Sequence, residues 1–306
     1  MLPLGCILFA GYILKGGFSL WCNETFCCSA KHVRRQLPSM IVLLLILFAV
    51  SARALAAVPP EITADAAIVV DTGSGRVLYE KNADKREYPA SMTKMMTCLL
   101  AIESGRLGSI VEVSPNAADV ECTRMHPGDQ IRMQDLITQM MLISDNGAAT
   151  AVGESLSGGD IDYFAERMNR RATSLGMTNT HFVNANGMPD DDHYSTARDM
   201  EKLAAAAFQN QIFRKIVSTK DTNIYYIRPA GRVEYCVNTN ELLGNYEGMV
   251  GGKTGWTSAA RGCLTVAADR DSHELIAVVM HSDDDESRFL EAAALLDYGF
   301  AQMGEK

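Results

Sequence analysis

No C-x-x-C pair occurs in this chain of 306 residues, and its six histidines form no H-E-x-x-H or comparable ligand spacing. No metal site is therefore indicated and no cofactor is expected. Internal repeats are absent, and so is low complexity outside the N-terminal leader. A basic excess is missing too, because the formal net charge is −9. Residues 1–56 hold Lys15, Lys31, Arg34, Arg35 and Arg53 against Glu24, a net of +4, which leaves −13 on residues 57–306. That acidity argues against nucleic acid or an anionic membrane surface as a partner. What is present, 47% hydrophobic and 21% charged residues, is a globular composition.

Nor is there an apolar run of the roughly 20 residues that a membrane-crossing helix needs. Ile41–Val50 is ten residues long, follows basic Lys31, Arg34 and Arg35, and precedes Ala54-Leu55-Ala56. This is the layout of a secretory signal peptide over residues 33–56, with an A-x-A cleavage site and a mature start near Ala57. Residues 1–32 fit it poorly, since they add a second apolar run, Ile7–Leu14, and four of the eight cysteines. They are either untranslated, with Val33 as the start, or a membrane-associated leader. The remaining Cys98, Cys122, Cys236 and Cys263 are irregularly spaced. Cys98 and Cys263 lie in apolar surroundings and read as core residues.

The chain is organised around Pro89-Ala-Ser-Met-Thr-Lys-Met-Met96. Good helix formers follow Lys94, and Pro89 and Ser91 suit a helix entrance, so Ser91 and Lys94 share one face a turn apart. Before it, Ala67–Asp71 and Arg76–Glu80 around Thr72-Gly-Ser-Gly75 read as a hairpin. After it come a short strand at 110–113, a helix from Met133 to Ser144 that stops at Ser144-Asp-Asn-Gly147, and helices at 148–156 and 161–175. An irregular stretch, residues 181–193, is long enough to cover a site. His193 within it either lines that site or anchors the loop. Thr196 caps a helix to about Phe208. Strands are expected at 222–227 and 233–239, from Lys253-Thr-Gly255, and at 262–268 and 275–281. A closing amphipathic helix spans 288–300. The first strands and the last third are expected to form one lobe, with the helical middle inserted between them.

Three pieces stand in order along this frame: Ser91-x-x-Lys94, Ser144-Asp145-Asn146 and Lys253-Thr254-Gly255. Each alone is unremarkable. Together they resemble the penicillin-recognising serine enzymes, whose S-x-x-K, S-D-N and K-T-G motifs come from a helix start, an inter-helix turn and an edge strand. From about Asp65 to Phe300 the chain is most similar to the D-alanyl-D-alanine carboxypeptidases, the low-molecular-mass penicillin-binding proteins. Leu-Gly-Met-Thr178, His-Tyr-Ser-Thr-Ala-Arg-Asp-Met200 and Leu-Leu-Asp-Tyr-Gly-Phe300 add to that likeness. The resemblance implies a β-lactamase/transpeptidase-like α/β (α+β) fold, an antiparallel sheet flanked by helices with an inserted, mostly helical subdomain. Residues 57–306 would form a single catalytic domain, with no C-terminal β domain and no C-terminal membrane anchor.

The resemblance also implies roles. Ser91 is the nucleophile on the carbonyl between two D-alanines of a peptidoglycan stem peptide, and β-lactam antibiotics acylate the same hydroxyl. Lys94 is the base, its pKa lowered by burial and by the charge of Lys253, although the acylation base is disputed across the superfamily. Ser144 relays a proton to the leaving amine, and Asn146 holds the substrate amide. Lys253 and Thr254 meet the terminal carboxylate, and Gly255 admits the substrate to the strand. The N–H groups of Ser91 and Trp256 form the oxyanion hole. Arg198 and Arg288 match family arginines near the carboxylate end. Gly252 and Arg261 depart from the family pattern. Two rivals remain: a serine β-lactamase, for which Glu166 and Asn169 are poorly spaced as a second base site, and a catalytically idle cell-wall or spore-associated scaffold.

Overall fold

The computed structural model describes residues 58–304. The expectations for residues 1–56, leader and signal peptide, lie outside the described residues. A five-stranded antiparallel sheet dominates one half. It uses β1 (Ala66–Asp71), β2 (Arg76–Lys81), β7 (Met249–Thr257), β8 (Arg261–Arg270) and β9 (His273–Ser282), in the order β2-β1-β9-β8-β7. β1 is buried along its whole length and its two faces serve two cores. Ala67 and Val69 join Leu264, Val266 and Val279 beneath α8 (Ser287–Gly304), through Phe289, Ala292, Leu295 and Leu296. Ala66, Ile68 and Val70 face the other way, with Val278 and Met280, onto the helices. The period-two alternation thus sends successive side chains into different layers. β8 and β9 meet in a two-residue turn, with Asp271 and Ser272 both at positive φ, 51° and 66°. Such a turn matches the strand twist, so the strands run further than the sequence suggests.

The other half is built around α1 (Lys94–Glu103), buried from Lys94 to Ile102. A single 3-10 turn, Ala90–Thr93, leads into it. A small hairpin of β3 (Ile110–Glu112) and β4 (Gln130–Arg132), the short α2 (Pro115–Ala118), α3 (Met133–Leu142), α4 (Asn146–Ser157), α5 (Ile161–Ser174), α6 (Ala197–Phe208) and α7 (Gln211–Val217) complete it. Polar caps set the starts: Asp145, Asp160, Thr196 and Asn210 each accept a backbone N–H of the first turn.

One expectation is corrected. The strands of the last third do not all join the large sheet. β5 (Asp221–Tyr225) and β6 (Val233–Val237) pair only with each other. Their hairpin packs on the helical half, where the Tyr226 hydroxyl donates to Gln139 Oε1 at 2.9 Å and Thr239 N–H to the Leu142 carbonyl at 3.0 Å. Only one side of each strand is buried, through Ile224 and Cys236, so the pair covers the helices and leaves its other face to water.

Candidate active site

Ser91 sits in the 3-10 turn and Lys94 is the first residue of α1. With three residues per turn, positions i and i+3 eclipse, which stacks the two side chains more directly than an α-helix would. Lys94 Nζ lies 2.7 Å from Ser91 Oγ, and is also 2.7 Å from both Asn146 Oδ1 and the Asn186 carbonyl. The last two partners can only accept, so a neutral Lys94 must give both its hydrogens to them. Its lone pair then faces Ser91 Oγ. Burial pushes the pKa of Lys94 down to about 7, and the charges of Asp145 and Cys122 oppose the fall. A neutral amine is thus available at ordinary pH.

The second motif forms the junction between α3 and α4. Ser144 takes a positive φ of 60°, which breaks the helix, and Asp145 caps the next one. Asp145 is buried and fully used: it accepts from Ala148 N–H, Thr123 Oγ1, Arg124 N–H and Gln139 Nε2. Asn146 Nδ2 donates to the Glu121 carbonyl at 2.9 Å. Its amide therefore orients Lys94 first of all, a role the sequence did not suggest. Ser144 lines the cleft on the same wall, but the direct Lys94–Ser144 contact that a relay needs is not among the hydrogen bonds of Lys94.

The third motif lies in mid-strand, not at a strand start. β7 is an edge strand of the sheet. At Gly255 a Cβ would come within 3.1–3.2 Å of Ala90 Cβ, the Pro89 carbonyl and Ser91 N, so glycine lets this strand press on the Ser91 turn. Lys253 is buried, and its Nζ donates to the Thr254 carbonyl at 3.0 Å. Burial, then the charges of Lys94 and Arg288, hold its pKa well below the ordinary lysine range. The repulsion expected to act on Lys94 is thus felt by Lys253. Thr254 Oγ1 meets Thr239 Oγ1 at 2.6 Å, and Arg288 Nη1 donates to the Gly255 carbonyl at 2.8 Å. An open cleft of about 560 Å³ brings together Ser91, Ser144, Asn146, Thr254, Gly255, Trp256 and Arg288.

The loop of residues 181–193 does cover this site. Gly187, at φ 87°, lies so close to the Ala90 carbonyl that any Cβ would collide with it at 1.9 Å. His193 settles as the anchor. Its Nδ1 accepts from Val183 N–H at 3.1 Å, so Nε2 carries the hydrogen and donates to Thr93 Oγ1 at 2.9 Å. Burial keeps it neutral, with its pKa lowered to about 4.

Comparison with known proteins now bears on the same geometry. The sequence signature of the D-alanyl-D-alanine carboxypeptidases matches residues 53–284. The chain belongs to that family. A Bacillus subtilis relative, D-alanyl-D-alanine carboxypeptidase DacF, is 33% identical over 78% of this chain, which spans 62% of that protein's length. The D-alanyl-D-alanine carboxypeptidase of a Streptomyces strain is 31% identical over 81% of this chain and 91% of its own. The crystal structure of the Streptomyces K15 DD-transpeptidase superposes with a TM-score of 0.77 at 31% identity, over 80% of this chain and all of that one. The penicillin-binding fold expected from the motifs is the fold observed.

Within this carboxypeptidase frame Arg198 requires correction. It stands in the first turn of α6, bound to Glu80 at 2.7 Å and Asp84 at 2.9 Å, and does not line the cleft. Glu80 and Asp84 together hold its guanidinium beside residues 80–84, outside the cleft lining. Glu166 points to solvent and pairs with Arg170, while Asn169 exchanges hydrogen bonds with the backbone of Phe182 at 2.8 Å in each direction. Neither serves a second base site. Sequence reasoning missed Asn186, whose role is carried by a backbone carbonyl, and Thr239 and Cys122, which line the cleft from separate loops. Cys98, Cys122, Cys236 and Cys263 are free thiols. Burial pushes Cys263 up to about 12, so it is inert. Among the described residues the one cluster with metal-like spacing is Asp65, Glu87 and His281, and there the Lys85 ammonium lies 2.8 Å from Asp65 and 2.6 Å from Glu87.

Proposed function

We propose that this protein is a serine-type D-alanyl-D-alanine carboxypeptidase that removes the terminal D-alanine of peptidoglycan stem pentapeptides through an acyl-enzyme on Ser91. The observation that carries this reading is the Lys94 amine, whose two fixed acceptors leave its lone pair on Ser91 Oγ. Lys94 takes the hydroxyl proton as Ser91 Oγ bonds to the scissile carbonyl carbon. The Ser91 and Trp256 N–H groups receive the oxyanion, and the proton taken by Lys94 reaches the departing amine through Ser144 once bound substrate brings that hydroxyl within reach of the amine. Water then attacks the ester by the reverse route. Lys253 and Thr254 take the terminal carboxylate, whose charge favours the protonated form of Lys253 that burial and neighbouring cations disfavour. β-Lactams enter the same path and stop at the ester. The site works on exported substrate, which fits the signal-peptide pattern of residues 33–56. The test is release of free D-alanine from a synthetic stem peptide by residues 57–306, with Ser91→Ala as the control. Release that vanishes in the control, with a stable penicillin adduct on the unaltered protein, is the expected result. Rapid penicillin turnover would point to a β-lactamase instead.

A further inference from the structure

The outer face of the β5–β6 hairpin carries a stripe that the cleft chemistry does not use. Tyr225 pairs across from Val233, Asn223 from Tyr235, and Asp221 from Val237. All six face away from the core: the tyrosines are 63% and 55% exposed, Val233 46% and Val237 52%. Solitary apolar side chains on a surface need no explanation, but four contiguous ones on a rigid two-stranded face do. Asp221 and Asn223 interrupt the stripe with a carboxylate and an amide. That mixture of flat rings and planar polar groups suits a sugar, which offers C–H faces to stack and hydroxyls to bond. Lipid tails would leave the polar pair unsatisfied.

The stripe is continuous with the cleft. β6 ends at Val237, and the chain continues through Asn238 to Thr239, which lines the cleft and bonds Thr254. Arg124 of the neighbouring cleft loop binds Glu234 of the hairpin at 2.5 Å. Thr239 lies four residues beyond Tyr235, at most about 13 Å at the rise of an extended chain. A stem pentapeptide places four residues between its glycan and the bond between its last two residues, about 14 Å when extended. We propose that the outer face of β5–β6 binds the glycan backbone of the polymer whose stem peptide occupies the cleft. This rests on the reaction proposed above, and it makes polymeric peptidoglycan the preferred substrate class over free peptide.

The test compares the protein with Tyr225→Ala/Tyr235→Ala on two substrates, a short acylated peptide ending in D-Ala-D-Ala and pentapeptide-bearing glycan strands. The expected result is that the ratio of kcat/KM on glycan strands to that on the peptide falls about tenfold, through KM, and is restored by Tyr225→Phe/Tyr235→Phe. Glycan strands stripped of their peptides should bind the protein directly and bind the alanine variant at least tenfold more weakly. An unchanged ratio overturns the proposal. So does a stripe whose loss abolishes anionic-vesicle binding or self-association while glycan binding stays intact. Glycan binding without D-alanine release would refute the reaction and leave this surface standing; release without glycan binding would do the reverse.

Discussion

On one side of the cleft, β7 pairs with β8 from Gly251↔Ala267 to Thr257↔Arg261, and Gly255 brings that strand onto the backbone of the Ser91 turn. On the other side no ladder exists. Lys94, Asn146 and Asn186 come from three separate segments and are joined by side-chain hydrogen bonds spanning 52 and 92 residues. The sheet wall is held by repeated backbone pairing, so its position depends little on the side chains of the strand itself. The helical wall is a small network whose members are each needed to orient the same amine, so single changes there should cost most.

The largest effect is expected at Lys94. Lys94→Met fills the buried space but removes the lone pair facing Ser91, and acylation by penicillin should slow by about 10²–10⁴-fold. Stopped-flow acylation with the unfolding midpoint measured alongside separates this from a folding defect. In the unaltered protein the same amine predicts the pH profile. Below about 7 Lys94 is protonated and cannot accept, so kcat/KM should fall tenfold per pH unit there and level off above it. A profile flat down to pH 5 would move the base elsewhere.

The sheet wall is challenged at Gly255. In Gly255→Ala the new methyl lies 3.1–3.2 Å from Ala90 Cβ, the Pro89 carbonyl and Ser91 N, and must push β7 off the turn. A shift approaching 1 Å at Ser91, the proposed nucleophile, can cost about 100-fold in rate, with about 1–3 kcal/mol of stability. Loss of stability without loss of rate would mean that the strand and the turn move together.

This contrast also explains what the sequence could disclose. The sheet, α1, α3 and α6 follow from period-two and helical patterning, and Thr196 and Phe208 bound α6 where caps and apolar spacing place them. Ser91, Lys94 and the β7 residues fall within short contiguous motifs, so their partnership is legible. Asn186 is not legible, because it acts through a carbonyl, and for His193 the sequence leaves lining and anchoring open, because its contacts lie 100 and 10 residues away. The β5–β6 hairpin falls outside the lobe expected for the last third for a related reason. Strand pattern reports one buried face and does not say what buries it.

His193 offers a smaller test of the helical wall. It is neutral when folded, with a pKa of about 4, against 6.5 when exposed. Between these values the unfolded chain binds more protons, so stability is present above pH 6.5 and is lost as pH falls toward 4, by up to about 3 kcal/mol. Denaturation midpoints across that window should slope in the unaltered protein and flatten in His193→Gln. Thr93 and the loop of residues 181–193 would loosen with it, so the D-alanine release rate should fall in the same pH window beyond what Lys94 alone predicts.

The smallest effect belongs to Arg198, and it separates two arginines that look alike in sequence. Each is the second residue of its helix. Arg288 is buried beside the cleft and donates to the Gly255 carbonyl, whereas Arg198 binds Glu80 and Asp84, whose side chains are 54% and 62% exposed. Solvent screens that second pair, so Arg198→Ala should cost no more than about 1 kcal/mol, less at high salt. Its backbone N–H still reaches the Ala83 carbonyl, which preserves the helix start. D-Alanine release should therefore stay within twofold in Arg198→Ala. In Arg288→Ala it should drop, because the Gly255 carbonyl loses its donor on the strand that presses on Ser91. Equal losses in the two variants would mean that the charge at Arg198 reaches the substrate through the field of the whole protein, and the two walls would no longer be separable.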